Sequence, residues 1–272
     1  RGNCDAPPGR ACATVLLAHG FKGYKDYGML PRLAEELARA GCFVHRFNFS
    51  HSGMTELIHT FERPDLFERD TWNRQVEDLQ AIDQAIRSGR LEGGGLPLVL
   101  LGHSRGGVTC LLAVARRVNG EPLVNAAAVV TINAPANCNP FSDAEMAQLL
   151  REGALVSPSA RTGQALRVGR RFLEEQLEDP AGHDLLTLVR DLDRPVLVVH
   201  GAADTTVSPT AGEAIAAAVG PRAILRRVEG ADHVFNTPNP MPPEQAASPQ
   251  LETLIEAVRS FLRHVCVVGA GA

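Results

Sequence analysis

One serine in this chain has a sequence context that suits nucleophilic catalysis. Ser104 lies in the segment GHSRG at 102–106, directly after the apolar run 98–101 and before the helix-like run 108–115. A bare G-x-S-x-G could arise by chance among 25 glycines, but a strand before it and a helix after it are typical of a nucleophile elbow. The turn also leaves the first N–H groups of the helix free to bind a developing negative charge. The motif therefore predicts that Ser104 attacks a carbonyl carbon.

A serine nucleophile needs a base, and His233 has the best setting among the nine histidines. It is the only histidine between the last predicted strand, 223–228, and the last predicted helix, 251–265. His264 falls inside that helix, where we expect a solvated cation. His45 alternates within a strand and is expected to be structural. The sequence thus favours His233 as the general base.

The base needs an acidic residue to orient it, and Asp204 follows an apolar strand after a short turn. The resulting chain order of Ser104, Asp204 and His233 is that of hydrolases with a nucleophile elbow. Asp232 adjoins His233, but a sequence neighbour usually points elsewhere. Asp193 precedes its strand and so lies at the wrong edge of a parallel sheet. Position therefore favours Asp204.

An oxyanion hole needs two backbone N–H groups aimed at one point. We assign one to Arg105, immediately after the nucleophile, and the other to Phe21, where Gly20 permits close approach of the backbone. The side chain of Arg105 is not needed for this, and an ion pair and a substrate contact both stay open. His51 and Ser52 follow another strand at the same edge and are candidates for binding substrate, with a plain polar loop as the competing interpretation.

Apolar runs separated by amphipathic helices predict the scaffold that positions these residues. They indicate one α/β domain over residues 1–272, with a mainly parallel sheet of about six or more strands and helices on both faces. Right-handed crossovers would place the strand C-termini at one edge, where a site is expected. We expect residues 1–10 to form a loose arm and residues 54–70 a loop. The predicted strands are 12–18, 42–49, 98–101, 126–132, 195–200 and 223–228, and the predicted helices are 31–40, 71–87, 209–219 and 251–265.

Composition excludes several classes of partner. The chain is 44% apolar and 21% charged with a net charge of −4, and without a basic run we expect no nucleic-acid partner. No apolar stretch approaches about 18 residues, so no membrane span is predicted. The start at Arg1 rather than Met suggests a trimmed chain.

Cys12, Cys42 and Cys110 fall in predicted strands or a helix, where buried free thiols favour a reducing, cytoplasmic compartment.

Four ordered motifs resemble the α/β-hydrolase superfamily over nearly the whole chain. They are HGF at 19–21, GHSRGG at 102–107, HGAAD at 200–204 and GADH at 230–233. Within the superfamily, HGFKGYKD and FNFSHSG are most similar to dienelactone-hydrolase-like and prolyl-oligopeptidase-like bacterial esterases. Dienelactone hydrolases use a cysteine nucleophile, whereas this chain has Ser104. The superfamily's usual first two strands have no clear counterpart before Cys12.

The segment 133–191 lies where members of the superfamily carry a cap or lid. It contains two predicted short helices, 142–150 and 168–177, joined by the turn-rich stretch 157–163. A cap would shape the pocket and exclude water, and so long an insertion is usually functional. An ordinary surface excursion is the competing interpretation.

Together these features predict a serine hydrolase that cleaves small carboxylic esters through an acyl-enzyme on Ser104. The reaction needs no metal or organic cofactor. Amide or peptide hydrolysis by the same residues stays open, although the missing β-propeller argues against a prolyl-oligopeptidase-type peptidase. A non-catalytic binding protein on the same fold is a further alternative, which the full set of catalytic residue types disfavours. Assembly as a homodimer also stays open.

Overall fold

Eleven strands and nine α-helices make up the part of the chain that the computed structural model describes, residues 2–269. The strands are β1 (Gly2–Asp5), β2 (Ala13–Ala18), β3 (Cys42–Phe47), β4 (Leu98–His103), β5 (Arg117–Val118), β6 (Glu121–Pro122), β7 (Ala128–Ile132), β8 (Ala154–Pro158), β9 (Ala165–Gly169), β10 (Val196–Gly201) and β11 (Ala223–Val228). The helices are α1 (Leu30–Arg39), α2 (Pro64–Glu68), α3 (Trp72–Arg87), α4 (Arg105–Ala115), α5 (Asp143–Glu152), α6 (Arg171–Glu178), α7 (Leu185–Leu188), α8 (Pro209–Val219) and α9 (Pro249–Gly269).

A seven-stranded sheet forms the centre of the molecule, with strand order β1-β3-β2-β4-β7-β10-β11. All neighbouring strands are parallel except β1 and β3. The strands β2, β4, β7 and β10 are buried along their whole length, as expected for parallel strands covered on both faces. The predicted fold class, a mostly parallel sheet with helices, is confirmed.

Two apolar cores lie on opposite faces of this sheet. Helices α3, α4 and α8 contribute to one core, and α1 and α9 contribute to the other. Helix α4 is buried at every position because it packs on the sheet and beneath other elements. Helix α4, which directly follows Ser104, is therefore enclosed by other elements. Such packing suits a residue, here Ser104, whose backbone must keep one conformation.

The N-terminal residues are not a loose arm, and that prediction was wrong. Residues Gly2–Asp5 form an edge strand antiparallel to β3, so a strand does precede Cys12. The Asp5 carboxylate accepts a hydrogen bond from Arg46 Nε at 2.9 Å, which ties the strand's end to its neighbour. The predicted loop 54–70 likewise contains a short helix, α2, which begins at Pro64.

The segment between β7 and β10 contains helices and a hairpin. Helix α5 begins at a capping box formed by Ser142 and Glu145, close to the predicted start. The second predicted helix started too early, because Val168 lies in the β8–β9 hairpin and pairs with Leu155. Buried Glu175 of α6 accepts hydrogen bonds from the first two N–H groups of α3 at 2.7 and 3.3 Å. This segment is therefore joined to the core through the N-terminus of α3.

Cys12 forms a disulfide with Cys266, so the prediction of a free thiol at Cys12 was wrong. The bridge joins the start of β2 to the final helix across 254 positions of sequence. Cys42 and Cys110 are buried and unpaired, as expected, and burial raises the pKa of the Cys42 thiol to about 11. Within the described residues, no helix is long and apolar enough to cross a membrane.

Candidate active site

Ser104 occupies a strained turn between β4 and α4. Its backbone has φ 53° and ψ −124°, a conformation that side-chain-bearing residues rarely adopt and that is common at functional sites. A Cβ on Gly102 would lie 2.2 Å from the Gly106 carbonyl oxygen, and a Cβ on Gly106 would lie 2.4 Å from that of Ala18. The flanking glycines are therefore required by close backbone packing, as the motif predicted.

His233 and Asp204 are joined by a hydrogen bond of 2.7 Å between Nδ1 and Oδ2. Burial by itself raises the pKa of the Asp204 carboxyl, but hydrogen bonds from His233 and from the Val207 N–H outweigh it and lower the pKa. An ionised Asp204 keeps the proton on His233 Nδ1 and leaves Nε2 as an acceptor. Among the described residues no hydrogen bond links Ser104 Oγ to His233, and such bonds often tighten only with substrate.

Two further residues hold the backbone of His233 in place. His103 Nε2 lies 2.8 Å from the His233 carbonyl oxygen, and Asn133 Nδ2 donates to the same oxygen at 2.9 Å. The rings of His103 and His233 lie 4.9 Å apart. Burial lowers the pKa of His103 to about 3, so its neutral ring donates through Nε2. Asn133 also accepts a hydrogen bond from the N–H of Gly201 at the end of β10.

Sequence reasoning missed both of these supporting residues. His103 immediately precedes Ser104, and Asn133 is the first residue after β7. Both therefore follow or end parallel strands at the edge where the site was expected. That position was the available signal, because a polar side chain at such a strand end is within reach of the neighbouring loops.

The loop that contains Phe21 lies directly against the elbow. A Cβ on Gly20 would lie 2.9 Å from Ser104 Cβ, so glycine permits this contact. His19 supports the turn, because its Nδ1 lies 2.9 Å from the Gly20 carbonyl oxygen and its Nε2 accepts a hydrogen bond from the Phe49 N–H. Burial lowers the pKa of His19 to about 4, which keeps this arrangement in its neutral form. Phe21 and Arg105, the residues assigned to the oxyanion hole, each follow directly after one of the two residues in this contact, Gly20 and Ser104.

A cavity of about 680 Å³ opens beside Ser104. Its wall combines aromatic and aliphatic side chains from the core and from the segment between β7 and β10. Most of the wall is apolar, which suits a hydrocarbon portion of a ligand. The lining includes Phe21, Trp72, Arg105, Phe141, Leu155, Val156, Val168 and Phe172.

Of the two roles left open for the Arg105 side chain, the structure contains the ion pair. Arg105 Nη2 lies 3.2 Å from Asp70 Oδ2, and both side chains are buried. Burial raises the pKa of Asp70 to about 6, although Arg105 and a hydrogen bond from Gln75 act in the opposite direction. The same arginine lines the cavity.

The structure does not bring His51 and Ser52 to this cavity. His51 Nδ1 lies 2.8 Å from the hydroxyl of Ser50, and the buried Ser52 hydroxyl accepts a hydrogen bond from the Met54 N–H. Neither residue is in the cavity lining, and their substrate role stays a prediction. His45 is buried, with Nε2 3.0 Å from the Glu92 carbonyl oxygen, which agrees with a structural residue.

The sequence matches the model of the alpha/beta hydrolase family over residues 15–248. A comparison with curated proteins finds no significant match. Among solved structures, the chain is similar to Est1E from Butyrivibrio proteoclasticus with ferulic acid bound, at 18% identity and a TM-score of 0.69, covering 98% of this chain and 95% of that one.

Two other solved structures are similar over almost their full lengths. The esterase domain from a Rhodothermus marinus protein is 23% identical with a TM-score of 0.61, covering 97% of this chain and 92% of that one. The monoacylglycerol lipase of Paleococcus ferrophilus is 15% identical with a TM-score of 0.68, covering 97% and 98%. At these identities the similarity establishes the shared fold.

Proposed function

The chain belongs to the alpha/beta hydrolase family, and from this premise we propose that it cleaves carboxylic esters through an acyl-enzyme on Ser104. The observation that carries the proposal is the 2.7 Å hydrogen bond between His233 and Asp204, in loops that adjoin the strained turn of Ser104. A buried carboxylate, an oriented imidazole and a partly exposed serine at an elbow are the parts that acyl transfer requires.

In the proposed reaction, Ser104 Oγ attacks the ester carbonyl while His233 Nε2 takes the hydroxyl proton. Asp204 stabilises the imidazolium and does not itself take up the proton. Collapse of the tetrahedral intermediate breaks the C–O bond, and His233 returns the proton to the departing alcohol. Water, activated by the same histidine, then releases the acid and restores the serine.

The N–H groups of Phe21 and Arg105 are proposed to stabilise the oxyanion. Each such donor is worth about 3–4 kcal/mol of barrier when it is already in place before the reaction. The contact between Gly20 and Ser104 supports this assignment, since it brings the Phe21 loop to the nucleophile. The neutral His19 beneath this loop would keep the donor aimed.

An ester is the proposed substrate class in preference to an amide. Two similar structures are named as an esterase domain and a monoacylglycerol lipase, and the apolar cavity beside Ser104 suits an acyl or alcohol chain. The segment 133–191 is proposed to act as a cap within the single domain, because Leu155, Val168 and Phe172 supply part of the cavity wall.

Hydrolysis of a chain-length series of p-nitrophenyl esters tests the proposal. We expect turnover that disappears in Ser104→Ala and persists in Ser88→Ala, which removes an exposed hydroxyl at the end of α3. A fluorophosphonate probe should label the wild type and not Ser104→Ala. A folded wild type that neither turns over any ester nor reacts with the probe would contradict the proposal, whereas labelling without ester turnover would favour amide cleavage.

A further inference from the structure

The Arg105 side chain has no part in the proposed acyl transfer, although it is buried next to the nucleophile. Its Nε and Nη2 atoms are inaccessible to solvent and donate no hydrogen bond within the described residues, so the contact of Nη2 with Asp70 at 3.2 Å is an ion pair only. The ion pair with Asp70 is a weak source of stability, because desolvation of two charges offsets much of their attraction.

Three aromatic rings surround the guanidinium. Its central carbon lies 4.7 Å from the ring centroids of Trp72 and Phe172 and 5.4 Å from that of Phe21. A planar cation over an aromatic face is attracted to it, most strongly where water is excluded. Because Phe21 belongs to the oxyanion loop, Trp72 to α3 and Phe172 to α6, one side chain joins three separate parts of the cavity wall.

We infer that Arg105 is a positioning residue that holds the Phe21 loop against Ser104, and this inference rests on the proposed function. The Phe21 side chain is 40% exposed, and its other ring neighbour is Phe67 at 5.3 Å. The guanidinium and the buried Phe67 ring therefore pack together against the protein side of this ring. Asp70 fixes the guanidinium, the guanidinium fixes the ring, and the ring fixes the direction of the Phe21 N–H.

A double-mutant cycle tests this chain of contacts. Arg105→Lys keeps a positive charge near Asp70 but removes the planar group, and Phe21→Leu removes the ring and keeps the backbone donor. Each variant should lower kcat about tenfold with KM within about twofold, since a small misplacement of a catalytic group is enough to slow the reaction this much. Because both act through one contact, the double variant should lose little more than either single variant.

A transition-state analogue separates positioning from a general loss of structure. The affinity of Arg105→Lys for an alkylboronic acid, which forms a tetrahedral adduct on serine, should fall about as much as kcat, by roughly tenfold. Its affinity for the product carboxylic acid should stay unchanged. Arg116→Lys is the matched control, because the Arg116 guanidinium is half-buried and donates to Gly182 O and Asn73 Oδ1 without lining the cavity. Its kcat should equal that of the wild type.

Several outcomes would overturn the inference. They are an unchanged kcat in Arg105→Lys, losses that multiply in the double variant, and a rise in KM alone. If Arg105→Lys does not fold, Arg105→Met combined with Asp70→Asn removes both charges together and should show the same loss of kcat. If the wild type shows no hydrolysis that depends on Ser104, the proposed function fails and this inference fails with it. An active wild type with an unaffected Arg105→Lys refutes the inference alone.

Discussion

Replacing His103 by glutamine should reduce the sensitivity of this protein to acid. Burial lowers the pKa of His103 to about 3, whereas an unfolded histidine has a pKa of about 6.5. Between these values the unfolded chain binds a proton that the folded protein does not bind. Stability conferred by the neutral ring is therefore complete above pH 6.5 and is lost as the pH falls towards 3.

The size of the effect follows from the difference in pKa. A pH of 5 is about 1.5 units below the pKa of the imidazole in the unfolded chain. At 1.36 kcal/mol per unit, protonation of this imidazole favours unfolding by about 2 kcal/mol. His19, whose pKa is lowered to about 4 by burial, adds a similar term. Asp70 acts in the opposite direction, because burial raises its pKa to about 6. Both of these groups remain in the variant, so the comparison isolates His103.

Urea unfolding at pH 8 and pH 5 measures this difference. The wild type should lose about 2 kcal/mol more than His103→Gln between the two conditions, since glutamine does not titrate and its amide can still donate to the His233 carbonyl. His264→Gln removes an exposed imidazole and should behave as the wild type. If wild type and His103→Gln lose the same free energy to within about 0.5 kcal/mol, burial does not hold His103 neutral.

Three other changes should have distinct effects. Asp204→Asn should lower kcat by about 10⁴-fold, because the amide favours the wrong tautomer of His233 and no longer stabilises the imidazolium, and ester kinetics will check this. Cys12→Ser should lower the free energy of unfolding by about 2–5 kcal/mol, since the bridge closes a long loop, and a reducing agent should lower the urea midpoint of the wild type but not of the variant. Gly102→Ala should destabilise the protein by about 3 kcal/mol, because its methyl group would collide with the Gly106 carbonyl, and a smaller loss in calorimetry would contradict the packing argument.

The parallel strands could be predicted from the sequence because burial on both faces leaves continuous apolar runs. Asp204 and His233 are adjacent in the structure for the same reason, since loops that follow parallel strands meet at one edge. The hydrogen bond between Asp204 and His233 agrees with that reasoning. Their catalytic roles, and that of Ser104, stay proposals for kinetics to test.

Other features depend on contacts that no local pattern records. The edge strand Gly2–Asp5 has four residues and is stabilised by pairing with β3, some forty positions away in the chain. The partner of Cys12 is the final helix, and spacing among six cysteines does not identify such a pair. The rings around Arg105 come from three separate elements, so its surroundings depend on tertiary packing alone.

Asn133 makes the positions of Asp204 and His233 interdependent. Its side chain accepts a hydrogen bond from Gly201, in the strand that leads to Asp204, and donates to the carbonyl oxygens of Asp232 and His233. The loops that carry Asp204 and His233 are thus hydrogen-bonded to, or follow a strand hydrogen-bonded to, the same buried amide. A displacement of one loop is therefore correlated with a displacement of the other. Substitutions in the core near Asn133 that shift one loop would shift the other with it. The distance between Asp204 and His233 would therefore change less than the position of either residue.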